Sequence, residues 1–200
     1  MTVRVITAPS VEPVSRAEAK LWIREDGTDQ DSMVDLLIQS MREYAENLTG
    51  RAFVQRTLEA TFECFPPDSV IVLPCAPLVS VAWVKYYNYA GTLTTVDAAD
   101  YEVDAYSQPG RVQPVYLKYW EPTRNVFNAV QVRYDAGYAP TSSPTDYREK
   151  VPASLKLWMH ARLGTLYDNR EQLMQSNQVA IPRDFADGLL DSLKVGNFFG

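Results

Sequence analysis

The sequence predicts an α+β fold: a helical core, made of an N-terminal helix pair and C-terminal helices, with an inserted antiparallel β unit. Three observations carry this. Apolar residues recur at helical spacing before residue 56. Between 57 and 138 the texture changes to alternation and to β-branched, aromatic runs. Helical spacing returns after Pro152. The chain is therefore read as an N-terminal helical part over 1–56, an inserted β unit over 57–138, and C-terminal helices and tail over 139–200 that complete the helical core. With 200 residues, 46% of them hydrophobic, it has material for a core.

Each element has a local reason. Ser15 opens "SRAE", a capping box with Glu18 at the third helical position, and a short helix follows to Arg24. "EDGTDQD" is a turn whose aspartates suit the next N-cap. From Asp31 to Thr49, Val34, Leu37, Ile38, Met41, Ala45 and Leu48 share one helical face, and Gly50 stands where a helix-ending glycine belongs. "TLEATFECF" alternates as a strand, with Leu58, Ala60, Phe62 and Cys64 on one face. "VIVL", "SVAWVKYYN", a hairpin around Gly91, "YEVD", "RVQPVYL" and "NAVQVRYDAGY" supply further strands. Residues 139–151 form a polar, proline-rich connection. Pro152 then suits a helix's first turn, the helix reaches about Arg170, and a short one spans Phe185–Lys194.

Charge and composition exclude several functions. The formal net charge is −6, and in residues 57–140 acids outnumber bases by nine to five. No basic stripe exists to grip nucleic acid tightly. No window approaches the roughly 18 apolar residues of a membrane span. The N-terminus lacks a signal peptide's apolar stretch, so a soluble chain not secreted by that route is expected. Cys64 and Cys75 are expected to be two ordinary thiols. With one histidine and no CxxC, zinc is not expected. "EDGTDQD" lacks the ligand order of a calcium loop, so no metal is assigned.

The single histidine invites a catalytic reading, because Asp168, Arg170 and Glu171 follow it in "WMHARLGTLYDNREQL". On a helix, however, Asp168 is turned from His160 by about 80° and Glu171 is about 16 Å along the axis. No carboxylate lies three or four residues from His160, so no local triad forms and no catalytic residue is assigned. Leu155, Trp158, Met159, Leu163 and Leu166 make the apolar stripe, and Arg162 and Arg170 project within it. Either their stems pack while their heads reach water or a carboxylate, or this face meets another subunit. The aromatics Trp83, Tyr86, Tyr87, Tyr89, Tyr116, Tyr119 and Trp120 suit a sugar-binding platform, but alternation should bury about half of them, which favours core packing.

Four stretches in order carry a resemblance: "PVSRAEAK" with the acidic loop after it, "YAENLTGR", "LPCAPLVSV" with "VRYDAGY", and the closing "LYDNRE". Together they resemble the head–tail connector (adaptor) proteins of long-tailed phages and prophages, over about residues 9–175. The resemblance implies a virion structural protein, not an enzyme and without a cofactor. It implies a ring of about twelve copies on the portal protein, which extends the DNA channel and docks the stopper or tail. DNA passes through such a ring without sequence-specific binding. The place implied is the virion neck, after assembly in the host cytoplasm. Arg162, Tyr167, Arg170 and Glu171 become candidate interface residues, as do Phe198 and Phe199, which suit insertion into a partner's pocket. Two other functions are carried on the residues alone: a β unit that binds a ligand or host surface, and a hydrolase using His160 with a distant acid.

Overall fold

A computed structural model describes residues 1–138, 150–168 and 188–195. It shows a mixed α+β chain that divides into two compact units, Met1–Pro9 with Val54–Ala139 and Ser10–Phe53 with Pro140–Gly200.

The first unit holds two antiparallel sheets. Five strands run in the order β1-β2-β8-β4-β5: β1 (Thr2–Thr7), β2 (Arg56–Phe62), β8 (Val130–Ala136), β4 (Leu78–Tyr87) and β5 (Leu93–Thr95). Three more run β3-β7-β6: β3 (Ile71–Leu73), β7 (Gly110–Pro114) and β6 (Tyr101–Asp104). Register sorts the large sheet's two faces. Leu58 lies opposite Tyr134 and Ala60 opposite Val132, and all four are buried. Val84 and Tyr86 extend that apolar face onto β4. Ile71, Leu73 and Val112 are buried apolar side chains of the small sheet.

Two sequence expectations change here. The helical reading of the opening residues omits β1, whose "TVRVIT" is a β-branched run paired with β2. The strand expected over "RVQPVYL" ends at Pro114, which has no N–H to offer a ladder, and leaves Tyr116 and Leu117 exposed.

In the second unit, α1 (Arg16–Ile23), α2 (Asp31–Thr49) and α3 (Ala153–Asp168) each pack against the other two. The α1 capping box is complete. Ser15 N donates to Glu18 Oε2 at 2.7 Å, and Glu18 N donates to Ser15 Oγ at 3.2 Å. Arg24 closes α1 in the left-handed region, and Gly50 does the same for α2 at φ 68°. The N-cap of α2 is Gln30, not an aspartate, and it makes no side-chain cap. Asp31 sits one place inside and takes Lys20 and Arg16 instead. The buried face of α2 is Val34, Ile38, Arg42, Ala45, Glu46 and Thr49. It is rotated from the face expected through Leu37, Met41 and Leu48, because the charge at Arg42 is satisfied inside. Of the expected terminal helix, residues 188–191 are helical and 181–187 lie outside the described residues.

Candidate functional site

The C-terminal end of α2 is built as a socket. Arg42 is buried, yet three bonds hold it. Its Nε and Nη2 donate to the two oxygens of Glu12 at 2.7 and 3.2 Å, and its Nη1 donates to Glu46 Oε2 at 2.9 Å. Burial works against the guanidinium's charge, but these carboxylates outweigh it and raise its pKa. Glu46 turns its other oxygen to accept from Phe53 N at 3.0 Å. One turn on, Thr49 Oγ1 donates to Ala45 O at 2.8 Å. Gly50 reverses the chain, and Arg51 Nε then donates to Leu193 O. Val195 N donates to Thr49 O at 2.8 Å. The "YAENLTGR" motif thus has a mechanical meaning: it ends the helix and clamps residues 193–195 against that end.

The acidic loop is a second junction. Lys20 Nζ donates to Asp31 Oδ1 at 2.6 Å, and Arg16 reaches both Asp31 and Asp35. The hydrogen bond from Lys20, with the nearby Arg16 charge, holds Asp31 below the ordinary carboxylate value. Glu25 accepts from Gly27 N at 2.9 Å and from the Tyr167 hydroxyl at 2.7 Å. The cations of α1 and the Tyr167 hydroxyl therefore engage Asp31 and Glu25. Among the described residues, no three His, Cys, Asp or Glu side chains gather as a metal site.

On α3, Trp158 is buried with Tyr44 stacked on it, ring centres 6.0 Å apart and planes 8° apart. The Arg162 guanidinium lies 5.9 Å from the Trp158 ring centre, so its stem packs on the helix face while the head meets a π face. His160 stacks on Trp22 at 5.0 Å. Burial, with the Lys156 charge, lowers its pKa against the opposing pull of Glu18. Its Nδ1 has no hydrogen-bond partner among the described residues, and the carboxylate of Glu18, whose charge it feels, is engaged in the α1 capping box. Of the candidate interface residues, the structure brings Tyr167 to the acidic loop and Arg162 to Trp158. Arg170, Glu171, Phe198 and Phe199 lie outside the described residues.

The whole fold has known counterparts. A chain of the neck of an empty gene transfer agent particle, computed with C6 symmetry, matches it at TM-score 0.76 and 18% identity, over 100% of this chain and 98% of that one. A chain of the native gene transfer agent virion matches at TM-score 0.74 and 18% identity, with the same coverage. A chain of the native particle's neck, computed with C12 symmetry, matches at TM-score 0.71 and 17% identity, again over 100% and 98%. At these identities the likeness is one of fold. No protein-family model matches the sequence, and no curated protein is significantly similar to it.

Two features that the sequence reading missed stand out beside that likeness. The first is exposed apolar surface in the helical unit. Leu36 (63%), Tyr44 (52%) and Leu48 are exposed on α2, and Leu21 and Trp22 on α1. These side chains leave apolar surface on both helices. The rotated buried face of α2 is the signal that would have found it: Val34, Ile38 and Arg42 fall four apart.

The second is the polar face of the large sheet. Glu59 is buried there, accepting from Arg4 on β1 and from Arg133 Nη2 on β8 at 2.6 Å. Trp83 on β4 lies beneath both Lys85 Nζ, 4.4 Å from its ring centre, and Arg133, 4.9 Å away. Among the other aromatics, Tyr86 is buried and Trp120 stacks on Phe65 at 4.6 Å, while Tyr89, Tyr116 and Tyr119 are exposed. The exposed ones lie in segments between strands.

Proposed function

We propose that this chain is a head–tail neck protein: a non-enzymatic virion component that joins further copies of itself in a ring of about twelve on a portal. There it extends the DNA channel and presents a platform to the stopper or tail. The observation that carries the proposal is the fold likeness, which spans the whole chain and nearly all of each neck or virion chain compared. The symmetry of those necks supports self-association here, and the exposed apolar residues of α1 and α2 supply surface for it. The helical parts act as one core, with the β unit inserted between them in the sequence, and the acid excess lets DNA slide without adhering. Arg162, Tyr167, Arg170 and Glu171 face a neighbour or steady the segment that does. Phe198 and Phe199 anchor a partner's pocket, five residues or fewer beyond the clamp at Val195. No cofactor takes part, and assembly proceeds in the host cytoplasm before the protein resides in the virion neck.

Electron microscopy of the purified protein mixed with its portal tests this. Annular density of repeated copies on the portal is expected. A protein that leaves the portal bare at saturating concentration sinks the proposal.

A further inference from the structure

The two sheets of the β unit end on four edges, β1 and β5 in the large sheet and β3 and β6 in the small one. Strands β3 and β5 are only three residues long. Strand β1 has a regular stretch, Thr2–Val5, before its register shifts between Val5 and Thr7, and β6 is Tyr101–Asp104. Both are four-residue edges without proline or glycine, and the outer side of an edge strand presents unpaired N–H and C=O groups.

The two edges match. In an antiparallel pairing that places Arg4 opposite Glu102, Val3 falls opposite Val103 and Val5 opposite Tyr101. Side chains alternate across a strand, so the apolar pairs share one face and the charged pair the other. The exposure of these residues fits this. Val5 is 51% exposed and Val103 is 40% exposed. The Arg4 side chain is 66% exposed although it bonds Glu59. Glu102 is exposed while accepting from Gln113 of its own sheet. A guanidinium has five donors and a carboxylate about four acceptor sites, so each retains capacity for a partner on its outer side. Pairing β1 with itself in this register would set Arg4 against Arg4, and pairing β6 with itself would set acids together; the charges select the mixed contact.

We infer that β1 of one copy pairs, antiparallel, with β6 of a second copy of this chain, with Arg4 against Glu102. Because the two surfaces differ, the contact is heterologous, and repetition closes a ring where the rotation allows. This deepens the neck proposal and rests on it for the ring, while the strand contact itself is separately measurable.

The test uses two full-length variants in a Cys64→Ser background, Val3→Cys and Val103→Cys, each checked for native circular dichroism. They are mixed with portal and treated with a short bismaleimide. A covalent dimer joining positions 3 and 103 is expected, several-fold more abundant than the dimers either variant gives alone. Rings on the portal without that adduct overturn the strand pairing and leave the neck proposal standing. The adduct without rings upholds the pairing and overturns the neck proposal. Neither rings nor adduct overturns both. Glu102→Arg, at an exposed site, gives an independent reading: ring formation weakened at least several-fold supports the pairing, and rings formed as readily as by the unchanged protein overturn it.

Discussion

At the scale of single residues, the decisive groups are charges held inside. Arg42 is surrounded by Glu12 and Glu46, and Glu46 also carries the Phe53 N–H. Removing the cation leaves two carboxylates without their counter-charge. Arg42→Ala is expected to cost about 3 kcal/mol, read from urea denaturation, because breaking a buried pair exceeds the worth of keeping it. A loss below about 1 kcal/mol would show that water replaces the guanidinium at little cost. Glu59 gives the pH counterpart. Burial alone would raise its pKa, but the hydrogen bonds and charges of Arg133 and Arg4 hold it below the ordinary carboxylate value. A carboxyl lowered on folding contributes stability above its unfolded value and loses it as pH falls through the folded one. The stability gap between the protein and Glu59→Gln should therefore be flat above about pH 5 and narrow in more acidic buffer. A gap that widens toward acid would refute the arrangement.

At the scale of elements, two glycines separate two kinds of constraint. Gly50 ends α2 at φ 68°, and an added Cβ would meet only Val195 at 3.8 Å, an ordinary contact. Gly50→Ala should cost about 1 kcal/mol, the price of a left-handed alanine. Gly137, at φ 115°, would put a Cβ 2.5 Å from the Val54 carbonyl oxygen. Gly137→Ala should lower the melting temperature by clearly more than Gly50→Ala, and equal shifts would argue against the close backbone approach. The helices were legible because their signals are local: the Ser15–Glu18 box, the apolar spacing of α2 and Gly50 all lie within a few turns. So were β2, β4, β6 and β8. Strand β1 was not, because six residues next to a helical region acquire their meaning only from β2, more than fifty residues later. Arg42 and Glu59 were not legible for the same reason. Glu12 is distant from Arg42 in sequence, and Arg4 and Arg133 are distant from Glu59, so the local pattern marked neither charge as held inside. The reading of His160 turned on its lack of an acid three or four residues away, but its stacking on Trp22 required α1 to be in place.

At the scale of the whole molecule, the clamp on residues 193–195 lies just ahead of the C-terminal tail. Arg51 and Thr49 bind the backbone at Leu193 and Val195. Deleting residues 196–200 should therefore leave the melting temperature within about 2 °C, since no clamp bond is touched. Portal binding should fall if Phe198 and Phe199 are anchors, and unchanged portal binding would remove them from that role.

The wide spacing of these partners also governs how the protein is made. Glu59 and Arg133 are 74 residues apart, and Tyr167 and Glu25 are 142 apart, as are Arg51 and Leu193. A ribosome adding about 5–20 residues per second needs several seconds to travel from β2 to the strand that pairs with it. Until β8 emerges, the large sheet lacks its central member, and β2 and β4 wait with open edges. A fragment ending before residue 130 should therefore expose apolar strands and bind a hydrophobic dye. Synthesis is therefore the interval in which the chain's apolar strands are most open.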